Sequence, residues 1–147
     1  MQHNYITLRG YACLILQEDN KVLLLKRQNT GFSDNTWALP GGTLEDCETI
    51  DQCLIREIKE EININLNMQD LNLVHLVLHQ ENNNIVKIGY YFTTKCYTGI
   101  LNNNEPHKHS DLQWFNLDNL PESVSTYTKH ALSSFKNNKR CSIVDLV

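Results

Sequence analysis

The segment that decides the fold extends from Gly42 to Ile64 and reads GTLEDCETIDQCLIREIKEEINI. It predicts a helix from about Thr49 to Ile62, because Thr49 followed three residues later by Gln52 is the pattern of a capping box. At about 100° per residue, the apolar side chains of this helix share one stripe, which is typical of a helix packed on a hydrophobic core. They are Leu54, Ile55, Ile58 and Ile62.

Three glutamates, Glu57, Glu60 and Glu61, lie on a neighbouring face in the last two turns of the predicted helix. Like charges four residues apart destabilise a helix by about 0.2–0.5 kcal/mol, and carboxylates near its C-terminus oppose the dipole by roughly 0.3–1 kcal/mol each. A cluster that lowers stability suggests a function, and carboxylates on one rigid helix suit Mg²⁺, which takes oxygen ligands. The alternative is an ordinary solvated helix end.

Two neighbouring features favour the functional interpretation. Gly41 and Gly42 precede the helix and allow the backbone to approach a ligand closely. Arg56 lies beside the glutamates, and Glu48 can pair with it through charge-assisted hydrogen bonds. The segment therefore combines a glycine turn and an ion pair with the carboxylate cluster.

This combination resembles the Nudix box, a family motif with glycine, glutamate, Arg-Glu and Glu-Glu at fixed spacings. Five residues separate Gly42 from Glu48, and seven more separate Glu48 from Arg56. The chain matches the motif at Gly42, Glu48, Arg56, Glu57, Ile58, Glu60, Glu61 and Ile64. Asn63 replaces the final glycine, and asparagine is the next best residue for a left-handed helix end. Cys47 stands where many members have glycine.

The resemblance continues outside the box. Residues 37–42 are similar to the family's lead-in, and residues 114–121 are similar to its late strand and turn. The whole chain, 1–147, is therefore identified as a single Nudix domain. Membership implies an α+β fold, an α/β/α sandwich with a mixed sheet packed between helices. It also implies hydrolysis of the diphosphate linkage in a nucleoside diphosphate that is joined to another moiety X. The cofactor would be Mg²⁺, for which Mn²⁺ could substitute.

The motif also implies roles for individual residues. Glu57, Glu60 and Glu61 would bind the metal, Gly41 would offer a backbone carbonyl to it, and Glu48 would support the site through Arg56. The general base stays open, because some Nudix enzymes use a glutamate from a later loop instead of a helix glutamate. Glu105 is the acidic candidate in the 102–109 loop, with His107 and His109 nearby. An exposed polar loop without a role is the alternative.

Aromatic and basic residues near the box are candidates for binding X. Phe32 is the favoured contact, Trp37 is a second, and Gly42 permits close backbone approach. Arg27 lies at the end of the second predicted strand. It either contacts a substrate phosphate or is an ordinary surface residue. Residues 90–92 include two tyrosines and a phenylalanine, which are at least as consistent with core packing.

Subfamily markers narrow the substrate only slightly. Gln80 stands where enzymes acting on ADP-ribose often carry proline, and no dinucleoside-polyphosphate tyrosine is found near residues 81–82. A small nucleoside di- or triphosphate is therefore favoured. The alternatives are a non-catalytic nucleotide-binding module and a pyrophosphohydrolase of RNA 5′ ends. An RNA pyrophosphohydrolase needs a basic channel for its substrate, whereas the basic cluster of this sequence lies within residues 136–140.

Composition limits the remaining classes. With 147 residues, 41% hydrophobic and 20% charged, the chain fits one globular domain and excludes collagen, coiled coil and disorder. A net charge of −4 argues against DNA or anionic membranes as partners. Five cysteines without CxxC spacing predict free thiols. With no signal-peptide pattern and no long apolar run, a cytoplasmic location is expected. A homodimer is possible for this family, but no face is identified.

The rest of the chain predicts strands over 7–16, 21–26, 71–79, 85–97 and 112–115. A last helix is predicted over 122–135, with an inner stripe of Val124, Tyr127, Ala131, Leu132 and Phe135. Residues 136–147 show no clear pattern.

Overall fold

The computed structural model describes residues 5–81 and 84–145. Its helices are α1 (Ile50–Ile62) and α2 (Thr126–Lys136), with a short 3₁₀ turn at Met68–Asp70. Its strands are β1 (Thr7–Leu14), β2 (Gln17–Glu18), β3 (Lys21–Arg27), β4 (Trp37–Ala38), β5 (Gly41–Thr43), β6 (Ile64–Asn65), β7 (Leu71–Glu81), β8 (Ile85–Thr94), β9 (Thr98–Gly99), β10 (His109–Asn116) and β11 (Cys141–Asp145).

The central layer is a five-stranded mixed sheet with the order β11-β7-β8-β1-β5. Strand β1 runs parallel to β8 and antiparallel to β5, while β11 runs parallel to β7. A second sheet has the order β10-β3-β2, with β4 paired to β3. Helix α1 packs on β1 and β5, and α2 packs on β7. The predicted α/β/α architecture is confirmed.

Alternation along β1 divides the core between the two faces of the central sheet. Ala12 and Leu14 pack with Leu54, Ile58 and Ile62 of α1, all of which are buried. On the other face, Tyr11, Cys13 and Ile15 belong to the cluster that contains Ala131 and Leu132 of α2. The apolar stripe predicted for α1 is therefore the one that the sheet covers.

Both ends of α1 have the predicted caps. The Thr49 side chain accepts from the Gln52 backbone, and the Gln52 side chain accepts in return from the Thr49 N–H. Asn63 ends the helix in the left-handed conformation, with φ 60° and ψ 24°. Cys47 also has a positive φ, 62°, a conformation that glycine adopts more readily than other residues.

Some predicted element boundaries were wrong. Helix α2 begins at Thr126 and not at residue 122, because the Ser125 side chain caps it by accepting from the Thr128 N–H. Val124 is therefore buried just before the helix and not within it. Strand β8 ends at Thr94 and not at residue 97. The connection between the predicted strands 71–79 and 85–97 lies partly outside the described residues.

The segment after α2, which had no assignable pattern, contains β11. Residues 141–145 pair in parallel with residues 76–80 of β7, so the strand is defined by a partner more than sixty positions earlier. Sequence patterns predict an element from the periodicity of neighbouring residues, and a strand as short as β11 contains too few residues to show a clear period. Among the described residues, neither helix has the length and apolar character that crossing a membrane requires.

Candidate active site

The three glutamates of α1 differ sharply in exposure. The Glu61 residue is only 7% exposed. The Glu57 side chain is 17% exposed and that of Glu60 is 49% exposed. The acidic face therefore runs from solvent into the edge of the sheet, where β5 crosses the helix.

Arg56 organises the outer part of this face. Its Nε donates to Glu48 Oε1 at 2.7 Å, and its Nη1 donates to Glu57 Oε1 at 2.8 Å. A longer contact of 3.4 Å joins Nη1 to Glu60 Oε2. We call these four residues the Arg56 cluster. Hydrogen bonding to Arg56 lowers the pKa of Glu48, whereas burial is the main cause that raises the pKa of Glu57.

The two glycines of β5 let the helix carboxylates reach the sheet. The Gly41 N–H donates to Glu61 Oε2 at 2.8 Å, and Gly41 has φ +149°. At Gly42, an added Cβ would overlap the Glu57 carboxylate. A side chain at position 42 would therefore displace Glu57, which explains why this turn needs glycine.

The loop before β10 closes the C-terminal end of α1. The Asn104 N–H donates to the Glu61 carbonyl at 2.9 Å, and its side chain donates to the Glu60 carbonyl at 3.1 Å. The Asn102 N–H reaches the Ile62 carbonyl at 3.2 Å. These bonds satisfy carbonyls that a helix end leaves without intrahelical partners. They also hold the following residues, including Glu105, against the acidic face.

Glu61, Glu105 and His109 form a second group, which we call the buried cluster. One ligand atom from each lies within 4.8 Å of the others. His109 Nε2 is 3.6 Å from Glu61 Oε1, and no lysine or arginine forms an ion pair with Glu61 among the described residues. Burial raises the pKa of Glu61 well above its ordinary value and lowers the pKa of His109 to about 4.

These residues fit a divalent cation. Glu61 is a buried carboxylate that forms no ion pair with a lysine or arginine in the described part of the chain, and such a group costs free energy unless a positive charge is supplied. Glu57 and Glu105 each contribute to raising its pKa further. Mg²⁺ and Mn²⁺ bind to several carboxylate oxygens that lie close together, as these do. Glu105, which the sequence offered as a candidate base, lies close to Glu61 and His109, and His109 had been noted only as its neighbour.

A cleft of about 360 Å³ opens on the other face of the central sheet. Phe32, Arg27 and Gly42, three of the four predicted substrate contacts, line it together with Gly41. Arg27 lies over the Phe32 ring at 5.7 Å and donates to the Phe32 carbonyl at 2.9 Å. None of the described residues that line the cleft is acidic.

Trp37, the fourth predicted contact, does not line the cleft. Its residue is 7% exposed, and its ring packs edge-to-face on Phe115 with 4.6 Å between centroids. Its neighbour in sequence, Ala38, does line the cleft, so proximity along the chain was misleading. Strand alternation places Trp37 in the core, and its contacts are those of a packing residue.

The cleft is also lined by Tyr11, which sequence reasoning missed, and by Tyr91, which it had weighed as a core residue or a base-stacking residue. The Tyr11 hydroxyl lies 3.0 Å from the Tyr91 hydroxyl and 2.7 Å from His79 Nε2. An added Cβ at Gly89 would overlap the Tyr11 ring, so glycine makes room for it. The alternation of β1, with residues 11 and 13 on one face, was the signal that pointed to this side chain.

Comparison with known proteins identifies the family. The NUDIX domain family model matches residues 7–135. The chain therefore belongs to the Nudix hydrolase family. It is 33% identical over 115 residues to the ADP-ribose pyrophosphatase of Methanocaldococcus jannaschii, which is 78% of this chain and 66% of that protein. It is 31% identical over 84 residues to the 8-oxo-dGTP diphosphatase of Proteus vulgaris, which is 57% of this chain and 73% of that protein.

Other comparisons agree on the fold. An uncharacterised Nudix hydrolase of Bacillus subtilis, YvcI, is 31% identical over 108 residues. The matched part spans 66% of the Methanocaldococcus protein and 65% of YvcI. The MutT NUDIX hydrolase structure from Burkholderia pseudomallei superposes with a TM-score of 0.76 and 29% identity, covering 86% of this chain and 97% of that one.

Proposed function

We propose that this protein hydrolyses the diphosphate linkage of a nucleoside diphosphate joined to a moiety X, with Mg²⁺ or Mn²⁺ as cofactor. A small nucleoside di- or triphosphate is the proposed substrate class. The observation that carries the proposal is the Glu61 carboxylate, buried at 7% exposure beside Gly41 without a lysine or arginine ion pair in the described part of the chain. A buried carboxylate without such a partner is stabilised when a cation binds to it.

The cation would be held by Glu57, Glu60 and Glu61, with the Gly41 carbonyl as a further oxygen. When bound, it neutralises phosphate charge and makes phosphorus more electrophilic. Arg56 orients Glu57 through the 2.8 Å hydrogen bond described above, and Glu48 anchors Arg56 from the other side. Glu48 and Arg56 are therefore proposed as positioning residues.

Hydrolysis adds one water across the anhydride. The water oxygen bonds to phosphorus, the anhydride P–O bond breaks, and a carboxylate accepts the water proton. Glu60 and Glu105 are the candidate acceptors, because Glu60 is half exposed and Glu105 lies beside Glu61. Replacing Glu105 with Gln tests this step, since an unchanged rate returns the role to the helix.

The cleft is proposed to hold X. Aromatic side chains stack on nucleobases, and Phe32 presents a 53% exposed residue at the cleft wall, 5.8 Å from the Tyr127 ring. Arg27 adds positive charge between this wall and the acidic face. The relatives named for ADP-ribose and 8-oxo-dGTP support a nucleotide substrate.

The decisive experiment measures phosphate and pyrophosphate release from a nucleotide panel, with Mg²⁺ and with EDTA. The panel contains NTPs, dNTPs, oxidised purines, ADP-ribose, nucleotide sugars and dinucleoside polyphosphates. We expect metal-dependent release from one compound class, and none from Glu61→Gln. Tight nucleotide binding without any turnover would favour a non-catalytic module instead.

A second experiment tests the cleft. Phe32→Ala is expected to raise KM about tenfold with little change in kcat, because base stacking contributes about 1–3 kcal/mol per base. Met68→Ala is the matched control, since Met68 is 48% exposed and does not line the cleft. Equal KM values for the two variants would remove Phe32 from the substrate contacts.

Three further properties are proposed with the function. The chain forms one domain over 1–147, works in the cytoplasm, and acts on small molecules and not on DNA or membranes. Gel filtration with light scattering tests the possible homodimer, because a doubled mass would establish it directly.

A further inference from the structure

His109 begins β10 and faces the acidic end of α1. The residue is 3% exposed, and its Nδ1 is buried without a hydrogen-bond partner among the described residues. Asn103 fixes the backbone at this point, because its side chain donates to the His109 carbonyl at 2.7 Å. The other ring nitrogen, Nε2, faces the Glu61 carboxylate, so the two nitrogens have different surroundings.

Nε2 does not form a hydrogen bond with Glu61. The 3.6 Å between His109 Nε2 and Glu61 Oε1 exceeds the range of N–H···O hydrogen bonds. The same distance suits two ligands of one ion. With metal–ligand bonds of about 2.1 Å in an octahedron, adjacent donor atoms are about 3.0 Å apart and opposite ones about 4.2 Å apart.

Glu105 supplies the third donor, within 4.8 Å of the other two. The Glu105 side chain also forms an ion pair with Lys108, whose Nζ lies 3.4 Å from Glu105 Oε1. The three residues come from α1, the loop before β10 and β10 itself, so the fold and not one helix assembles this group. An acidic cluster on a helix has an ordinary explanation as a solvated surface, but a buried imidazole whose Nε2 lies 3.6 Å from one of these carboxylates does not.

We propose that His109 joins Glu61 and Glu105 as a nitrogen ligand, forming a mixed nitrogen–oxygen cation site that binds Mn²⁺ or Co²⁺ in preference to Mg²⁺. Imidazole suits transition metals, whereas Mg²⁺ keeps oxygen ligands and water. The inference rests on the proposed function, because it concerns the cation of the same acidic face. In this arrangement Glu105 is a ligand, and Glu60 is the carboxylate left to accept the water proton.

The test is pulsed electron paramagnetic resonance of the metal-stripped protein loaded with one equivalent of Mn²⁺. We expect a ¹⁴N coupling from a directly bound imidazole. The coupling should persist in His107→Ala, whose histidine is exposed, and disappear in His109→Gln, which keeps an oxygen donor of similar reach. Mn²⁺ bound without a ¹⁴N coupling in the unchanged protein would overturn the inference.

Affinity gives a second readout. Calorimetric titrations should show the ratio of Mn²⁺ to Mg²⁺ affinity falling by about tenfold in His109→Gln. An unchanged ratio in a variant that melts as the parent does would also overturn the inference. Glu105→Gln should lose turnover at low Mn²⁺ and regain it at high Mn²⁺, which a lost general base would not do.

These results separate the inference from the proposed function. If the nucleotide panel shows Mg²⁺-dependent release but Mn²⁺ has no ¹⁴N coupling, the hydrolase stands and the histidine ligand is rejected. If the protein binds neither ion and releases nothing from the panel, the proposed function fails first.

Discussion

The Arg56 cluster and the buried cluster are built on the same helix, yet they solve the problem of negative charge in opposite ways. Around Arg56, each carboxylate has a cation at 2.7–3.4 Å that belongs to the chain itself. Around Glu61, the nearest basic group is an imidazole at 3.6 Å, which is neutral near pH 7 because burial lowers its pKa to about 4.

The two clusters therefore affect the stability of the folded protein differently. In the Arg56 cluster, Arg56 balances the carboxylates without any ligand, although Glu57 and Glu60 are also proposed to hold the cation. In the buried cluster, Glu105 adds to the rise in the pKa of Glu61. Lys108 forms an ion pair with Glu105, but no lysine or arginine forms one with Glu61 among the described residues. A chain that keeps such an arrangement gives up stability at a position where an external cation restores it.

The strongest way to break this comparison is Glu61→Gln. We expect the turnover of the responsive nucleotide to fall at least about 100-fold, or about 2.7 kcal/mol of transition-state stabilisation. In EDTA the variant should melt at the same temperature or higher, because a neutral amide replaces an uncompensated charge while still accepting from the Gly41 N–H. Calorimetry and the release assay measure the two effects. A large drop in melting temperature would show that Glu61 stabilises the fold without metal.

The converse variant removes the cation of the other cluster. Arg56→Ala should lower the free energy of unfolding by about 2 kcal/mol, since Glu48 and Glu57 keep their partly buried charges and lose their partner. Arg56→Lys is the control that keeps the charge and loses the forked geometry, so it should lose less. Urea denaturation measures both. If Glu48→Ala and Arg56→Ala prove additive in a double-mutant cycle, their hydrogen bonds carry no net stability.

The pH dependence sharpens the comparison. Burial raises the pKa of Glu61 well above 4.5, so the folded protein binds more protons than the unfolded chain above that pH. Stability from this group therefore falls as pH rises from about 4.5 upward. In EDTA, the stability advantage of Glu61→Gln over the parent should grow between about pH 5 and 8. His109 acts with the opposite sign but is present in both proteins. A constant difference across this range would contradict the burial of a charged Glu61.

Sequence reasoning succeeded where the information was local. The capping box at Thr49, the apolar stripe of α1 and the left-handed Asn63 all depend on residues within a few positions of one another. The Glu48–Arg56 pair was also found, because the motif brings a loop residue next to the helix that follows it. These features make up the scaffold half of the site.

The buried half depended on contacts between distant positions. Residues 102–104 cap a helix that ends at Ile62, and this capping is what brings His109 to Glu61. Nothing in the sequence around His109 marks it as buried, since the loop before it is polar. The same limit explains β11, and it explains Trp37, whose side chain faces the core although its neighbour Ala38 lines the cleft. Non-local packing decided each of them.

The smallest expected effect concerns Glu60, which belongs to the Arg56 cluster by contact and to the metal ligands by motif. Its side chain is 49% exposed and its contact with Arg56 is 3.4 Å, so Glu60→Gln should change the free energy of unfolding by less than about 0.5 kcal/mol. If Glu60 also binds the cation or accepts the water proton, turnover should fall even though stability does not. Thermal denaturation in EDTA and the release assay at several Mg²⁺ concentrations measure the two separately. A loss that high Mg²⁺ rescues assigns Glu60 to the cation, and one that no Mg²⁺ rescues assigns it to the proton. Full activity would return Glu60 to the scaffold and leave the chemistry to the buried cluster.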